Sequence, residues 1–513
     1  MATSEKANSQ EQVDVTETTE TNSVDVDDAW KFLDTHRDAN LKEHGDIDIL
    51  ALRRKNDYRI VPLMFLCYTM QFIDKLTLNY AGVMTMRQEL NLQGNDFSNL
   101  VTFTFVAQAA WELPTSAYHP IFVYCLQRFP AAKFLAVNVL LWGVATACGA
   151  AATNYQTLLV SRIFLGIFEA TVNPSLILIS SQWYTKPEQA PRFSLWLLGL
   201  GIGQIVGGAV SYGFQHIPPA ATLSGWRTMF LVLGLVTVVI GIVTFFSLPD
   251  TPMQARWLTD REKVALLKHV SVNQTGIENR KFRGSEIKEA LLDPQVWLLW
   301  ITIVLLAGTG GIVIAYSSTL IRNLGYDSKR AALMNMPSGA ISIVWTLAVG
   351  WGIRTRSHRW GWALFSILPA MVGSGLMSFL PTSNKAGILA GVYLTNTITA
   401  CLSIFYNWTA ANVAGATKRA FVTAMLSGLF SAGNVIGPQS FQAKDAPEYR
   451  PAKITALATQ AAAACTTVLL FGYYAWKNKG RKGREKEVEG RFMDKEVWLR
   501  MTDGENKEFR YSY

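Results

Sequence analysis

Two charged side chains interrupt one apolar run of this chain, S-R-I-F-L-G-I-F-E-A-T-V-N-P at 161–174. Arg162 and Glu169 stand almost two helical turns apart, so they project from nearly the same face, roughly 10 Å apart along the axis. The surrounding stretch is long enough to cross a bilayer. A charge at that depth costs at least ~2.5 kcal/mol and is normally turned toward a partner or a water-filled cavity. A planar guanidinium receives a carboxylate through two parallel hydrogen bonds. A carboxyl group in such a place can load and release one proton per cycle. The pair suggests a chain that binds an anion through Arg162 and moves a proton through Glu169. Two plainer roles compete: snorkelling of Arg162 to the interface, and a static ion pair at Glu169.

Other polar residues extend the set. F-I-D-K-L-T-L-N-Y-A at 72–81 puts Asp74 beside Lys75. Neighbours on a helix point about 100° apart, so at least one of them must reach another helix. Asp74 is the second candidate for proton coupling, and Lys75 pairs with an acid or sits by the substrate. Glu112, in W-E-L-P, precedes a proline that loosens the helix. It reads as a gate or a bridge between domains. Buried amides such as Asn396, Asn407, Asn434 and Gln439 bridge helices or meet a ligand. Tyr316 and Asn407 are the further substrate contacts expected.

The elements that must hold these residues are read from composition. Half of the 513 residues are hydrophobic and only 17% are charged, where soluble domains carry about 25%. Apolar segments long enough to span begin near Ile60, Phe97, Pro130, Tyr155, Pro191 and Trp226. After a charged stretch from about 249 to 293, six more begin near Pro294, Ala331, Trp360, Ala386, Ala420 and Ala452. They are numbered one to twelve below. Lys and Arg crowd into alternate connections: before segment one and after two, four, eight, ten and twelve. By the positive-inside rule these belong to the cytosol, together with both termini. The net charge of +9 is thereby explained without a nucleic-acid partner. The expected organisation is an acidic, disordered cytosolic tail (1–59), a six-helix half (60–248), a central cytosolic loop (249–293), a second half (294–476) and a basic tail (477–513). In the loop, Thr259 and Glu262 form a capping box, and a second, amphipathic helix starts at Ser285. That helix is expected on the membrane surface.

Six plus six segments with a long linker resemble the major facilitator superfamily, whose halves rock about a central site. The runs at 72–81 and 161–174, with S-L-P-D-T-P-M-Q-A-R-W-L-T-D-R-E-K (247–263), N-V-A-G-A-T-K-R-A (412–420) and G-N-V-I-G-P-Q-S-F (433–441), resemble the fungal anion:cation symporter family. The allantoate-permease branch is nearest. The resemblance implies an all-α membrane protein of twelve transmembrane helices that carries a small organic anion together with a proton. It also implies that Arg162 touches the substrate. Segment five lacks the Gly-Pro pair of related drug antiporters, which counts against efflux. Y-C-L-Q-R-F-P-A-A-K (124–133) departs from the superfamily's Gly-x-x-x-Asp-Arg pattern, so Arg128 keeps only part of a gating role.

No cofactor, no metal and no enzyme activity are expected, because the six histidines fall mostly in tails and loops. The partners expected are the organic anion, the proton and the lipid bilayer, with the chain a monomer in the plasma membrane. Efflux by the same fold and a non-transporting nutrient sensor are the alternatives.

Overall fold

A computed structural model describes residues 47–117, 130–218, 221–271, 283–356, 358–482, 502–506 and 509–513. Its long helices follow the apolar segments. Segment one is Ile49–Gly82 and segment two is Asp96–Ala117. Ten further stretches are long and apolar enough to cross a membrane. They are Ala131–Gly149, Tyr155–Trp183, Pro191–Phe214, Gly225–Ser247, Pro294–Arg322, Ser328–Thr355, Arg359–Phe379, Lys385–Asn412, Thr417–Ser440 and Arg450–Arg481. Segment one is longer still, at 34 residues, but Gln71, Asp74, Lys75 and Asn79 dilute its apolar character.

Segment one starts at Ile49, inside the expected tail, because ion pairs hold its polar first turns. Lys55 meets Glu262 at 2.8 Å and Arg53 meets Glu188 at 3.3 Å. Arg192 binds Asp57 through two hydrogen bonds of 2.6 and 2.5 Å. Burial works against the Glu188 carboxylate, yet the Thr185 backbone N–H and His269 hold it down at about 2.

Segments four and ten are broken. Segment four runs Tyr155–Glu169, turns at Ala170 and Thr171, and resumes as Val172–Trp183. Segment ten runs Lys385–Thr395, tightens to a 3-10 turn at Asn396–Ile398 and resumes as Thr399–Asn412. Such breaks place polar backbone where a cavity can use it. Segments five and eight approach at backbone level: a Cβ on Gly201 would stand 2.6 Å from the Gly339 carbonyl oxygen, and one on Gly339 would clash with that of Gly201. Small residues at this crossing let the two halves touch without side chains between them.

The capping box of the central loop is present. Thr259 N–H donates to Glu262 at 2.8 Å, Glu262 N–H donates to the Thr259 hydroxyl at 3.3 Å, and the helix is Asp260–Ser271. The second loop helix, Gly284–Leu292, buries Glu286 and Ala290 against protein and leaves Leu291 and Leu292 exposed. Glu286 accepts from the Lys418 backbone N–H at 3.0 Å. The Lys418 ammonium is fully buried among Glu289 at 3.0 Å, Asp293 at 2.8 Å and Asp503 at 2.8 Å. A buried ammonium requires such compensation. Asp503 arrives from the C-terminal tail, whose last residues fold back onto the second half. Ser512 exchanges hydrogen bonds with Asn412 and accepts one from Trp408, and Tyr511 pairs with Asn478. The basic composition of this tail gives no sign of that docking.

Candidate functional site

The buried face of the first half of segment four is Leu158, Arg162, Leu165, Gly166 and Glu169, a stripe with helical spacing. Arg162 and Glu169 therefore share a face, as their spacing requires. Gly166 has no side chain because a Cβ there would clash with the Thr104 carbonyl oxygen of segment two. That close approach sets the depth of both charges inside the first half.

Segment one divides its two charges between different neighbours. Asp74 is fully buried and turns to segment three, where it accepts hydrogen bonds from the Trp142 indole and, at 3.4 Å, from Thr146. Its other oxygen has no hydrogen-bond partner. Lys75 turns the other way and lies 3.1 Å from the Glu169 carboxylate. Neither Glu169 oxygen accepts a well-aligned hydrogen bond. The contact with the lysine is an ion pair. The Gln71 amide donates to the Glu169 carbonyl at 3.3 Å. Arg162 is also buried, with its guanidinium 4.5 Å from the centre of the Phe230 ring and Nε and Nη2 without hydrogen-bond partners. Its charge acts on Asp74 and Glu169 across the half rather than in contact.

A cavity of about 1120 Å³, counting its open mouth, lies between residues of segments one, two, four and five and residues of segments seven, ten and eleven. Lys75 is the single charged side chain among its described lining residues. Arg162, Asp74 and Glu169 lie behind the wall. Lys75 is thus the point where the buried charges of the first half reach the space between the halves.

The remaining expected site residues that are described do not line the cavity. Tyr316 is stacked on Phe441 at 3.9 Å and shares a 2.5 Å hydrogen bond with Ser98. It belongs to a seal between the halves at the end away from the tails. There Asn79 donates to Ser317 at 2.8 Å, Asn95 to Gln442 at 2.6 Å, Gln439 to Thr102 at 2.8 Å and Gln204 to Asn335 at 3.3 Å. Asn407 is exposed and donates to the Ser403 carbonyl of its own helix at 3.1 Å. Glu112 is buried and accepts from Ser427 and, at 2.8 Å, from Ser431. It joins segments two and eleven through hydroxyls. Arg128 lies outside the described residues. Sequence reasoning grouped Asn396 with the amides that bridge helices or meet a ligand and did not single it out, although the polar run T-N-T-I-T at 395–399 marks the break in segment ten.

Comparisons with known proteins agree with the helical fold. A family model described as Major Facilitator Superfamily matches residues 64–438. The chain is 36% identical over 518 residues to the thiamine pathway transporter THI73 of Saccharomyces cerevisiae, covering 96% of this chain and 95% of that one. It is 31% identical over 504 residues to the allantoate permease of the same yeast, covering 95% and 90%. Among solved structures, a bacterial homolog of the human lysosomal transporter Spinster, inward-facing and occupied, superposes with a TM-score of 0.58 at 16% identity, covering 80% of this chain and 96% of that one. The xylose transporter XylE of E. coli gives 0.57 at 14% identity, covering 79% and 96%. These two likenesses concern the fold.

Proposed function

We propose that this chain, which belongs to the Major Facilitator Superfamily, is a proton-coupled symporter that takes up a small organic anion by alternating access. The observation that carries the reading is the Lys75–Glu169 ion pair at the cavity wall. One ammonium faces two possible carboxylates, that of Glu169 behind the wall and that of a substrate in front. An arriving anion competes for Lys75. Glu169 is then a buried charge that has lost its contact, which is costly, and taking up a proton removes the cost. Substrate binding and proton binding thereby favour each other, as linkage requires of any two coupled ligands. Release of the proton restores the ion pair and expels the anion. Asp74 and Arg162 set the background charge of the half. The basic connections and both termini face the cytosol, the membrane is the plasma membrane, and the chain works as a monomer.

The test is Glu169→Gln in proteoliposomes. The amide stands in for the protonated acid and cannot release a proton. Uphill accumulation driven by an imposed pH gradient should disappear, while counterflow, which moves no net proton, should persist. A variant that still concentrates substrate with the gradient would leave Glu169 a structural residue, and Asp74→Asn would then be the variant to measure.

A further inference from the structure

The lining of the cavity narrows the class of anion. Among the described lining residues positive charge is available at Lys75, whose ammonium also lies 5.9 Å from the centre of the Phe105 ring. Around it the described lining is dominated by rings and aliphatic groups. Trp196 is met edge-on by Tyr68 at 4.7 Å and by Phe193 at 4.2 Å. Phe193 in turn lies 6.4 Å from Tyr406 of the second half. Aromatic walls of this kind favour a flat ring, through stacked and edge-on contacts. Across from Lys75, on the second half, stands Asn396 at the break of segment ten. It is fully buried. Its amide N–H₂ donates to the Val392 carbonyl at 2.9 Å, which fixes the orientation of the group. Its Oδ1, an acceptor, has no partner. A buried polar atom lining a cavity without a partner is poised for a ligand.

We infer that the cavity takes a ring-bearing monocarboxylate with an N–H or O–H donor at the end remote from the carboxylate. The inference rests on the proposed anion site at Lys75 and extends it to the opposite wall. The carboxylate meets Lys75, the ring lies among Phe193, Trp196 and Tyr406, and the distal donor meets Asn396 Oδ1. A dicarboxylate brings a second charge that finds no cation among the described lining residues. A ureide brings several donors, whereas the second-half wall offers Asn396 Oδ1 as its unpartnered buried acceptor among the described lining residues, and donors left unpaired are penalised.

Equilibrium binding to the purified full-length chain tests this with 4-aminobenzoate, benzoate, succinate and allantoate as probes. The expected order is 4-aminobenzoate tightest, benzoate about tenfold weaker, and succinate and allantoate weaker again. Asn396→Leu should bring 4-aminobenzoate to the level of benzoate and leave benzoate unchanged. If Asn396→Leu does not fold, the order on the native chain still decides. Tight binding of succinate or allantoate without binding of either ring acid overturns the inference and leaves the anion site standing. Equal binding of the two ring acids overturns the role of Asn396. Undiminished binding of both ring acids to Lys75→Ala overturns the anion site itself.

Discussion

Arg162 lies over the Phe230 ring, buried, with two of its nitrogens unpartnered, while Lys75 stands on the cavity wall. Lysine cannot reproduce that placement, because its ammonium is a compact and strongly hydrated point charge. Arg162→Lys should therefore lower uphill uptake about tenfold, a barrier change of ~1.4 kcal/mol, while equilibrium affinity for the substrate stays within about twofold. A tenfold loss of affinity at unchanged surface expression would instead put the guanidinium on the substrate. The shared face of Arg162 and Glu169 was legible from their spacing. The division of labour between Asp74 and Lys75 was not. Two residues 100° apart differ only in what remote segments bring to them, here Trp142 on one side and Glu169 on the other. Tyr316 was legible as a polar aromatic inside a span. Its place in the seal depends on Ser98 and Phe441, more than a hundred positions away on either side.

Connections between segments carry charge chemistry of their own. Glu188 opens the helix Lys186–Leu197 and joins Arg53 of segment one to His269 of the central loop. Burial opposes its charge, but its donors hold the carboxyl at about 2 against an ordinary value of 4.5. A depressed folded value means that the contribution is complete above about pH 4.5 and drains away as pH falls toward 2. The thermal midpoint of the detergent-solubilised protein should fall more steeply between pH 5 and 3 for the native chain than for Glu188→Gln. Parallel curves for the two would show that this carboxylate does not couple to folding. Helices with local signals, such as the capping box at Thr259 and Glu262, were readable in advance. The seat of Gly284–Leu292 was not, because amphipathic spacing says that a face is covered and not by what. Its cover proved to be Lys418, at the head of segment eleven.

At the scale of the molecule, the central loop is shared out between the halves. Asp260–Ser271 is tied to the first through Lys55–Glu262 and Glu188–His269. Gly284–Leu292 is tied to the second through Lys418. A cut between these helices leaves each half its own helix. Co-expressed fragments 1–276 and 277–513 should assemble and retain part of the uptake. Stable assembly without any transport would make the covalent link part of the mechanism. The succession of long apolar helices was legible from hydropathy, ten of them by length and apolar character among the described residues. The seal between Asn79, Ser98, Asn335 and their partners was not, since small polar residues in a span give no sign of which half they will face.

The cluster around Lys418 also imposes a calendar on the chain. Glu289 and Asp293 leave the ribosome before the lysine does, but Asp503 follows it by 85 residues. At 5–20 residues per second that is a wait on the order of ten seconds. During it the ammonium has two acids in place of three, and the seat for Tyr511 and Ser512 stands empty. The second half is thus completed by residues translated after its spans.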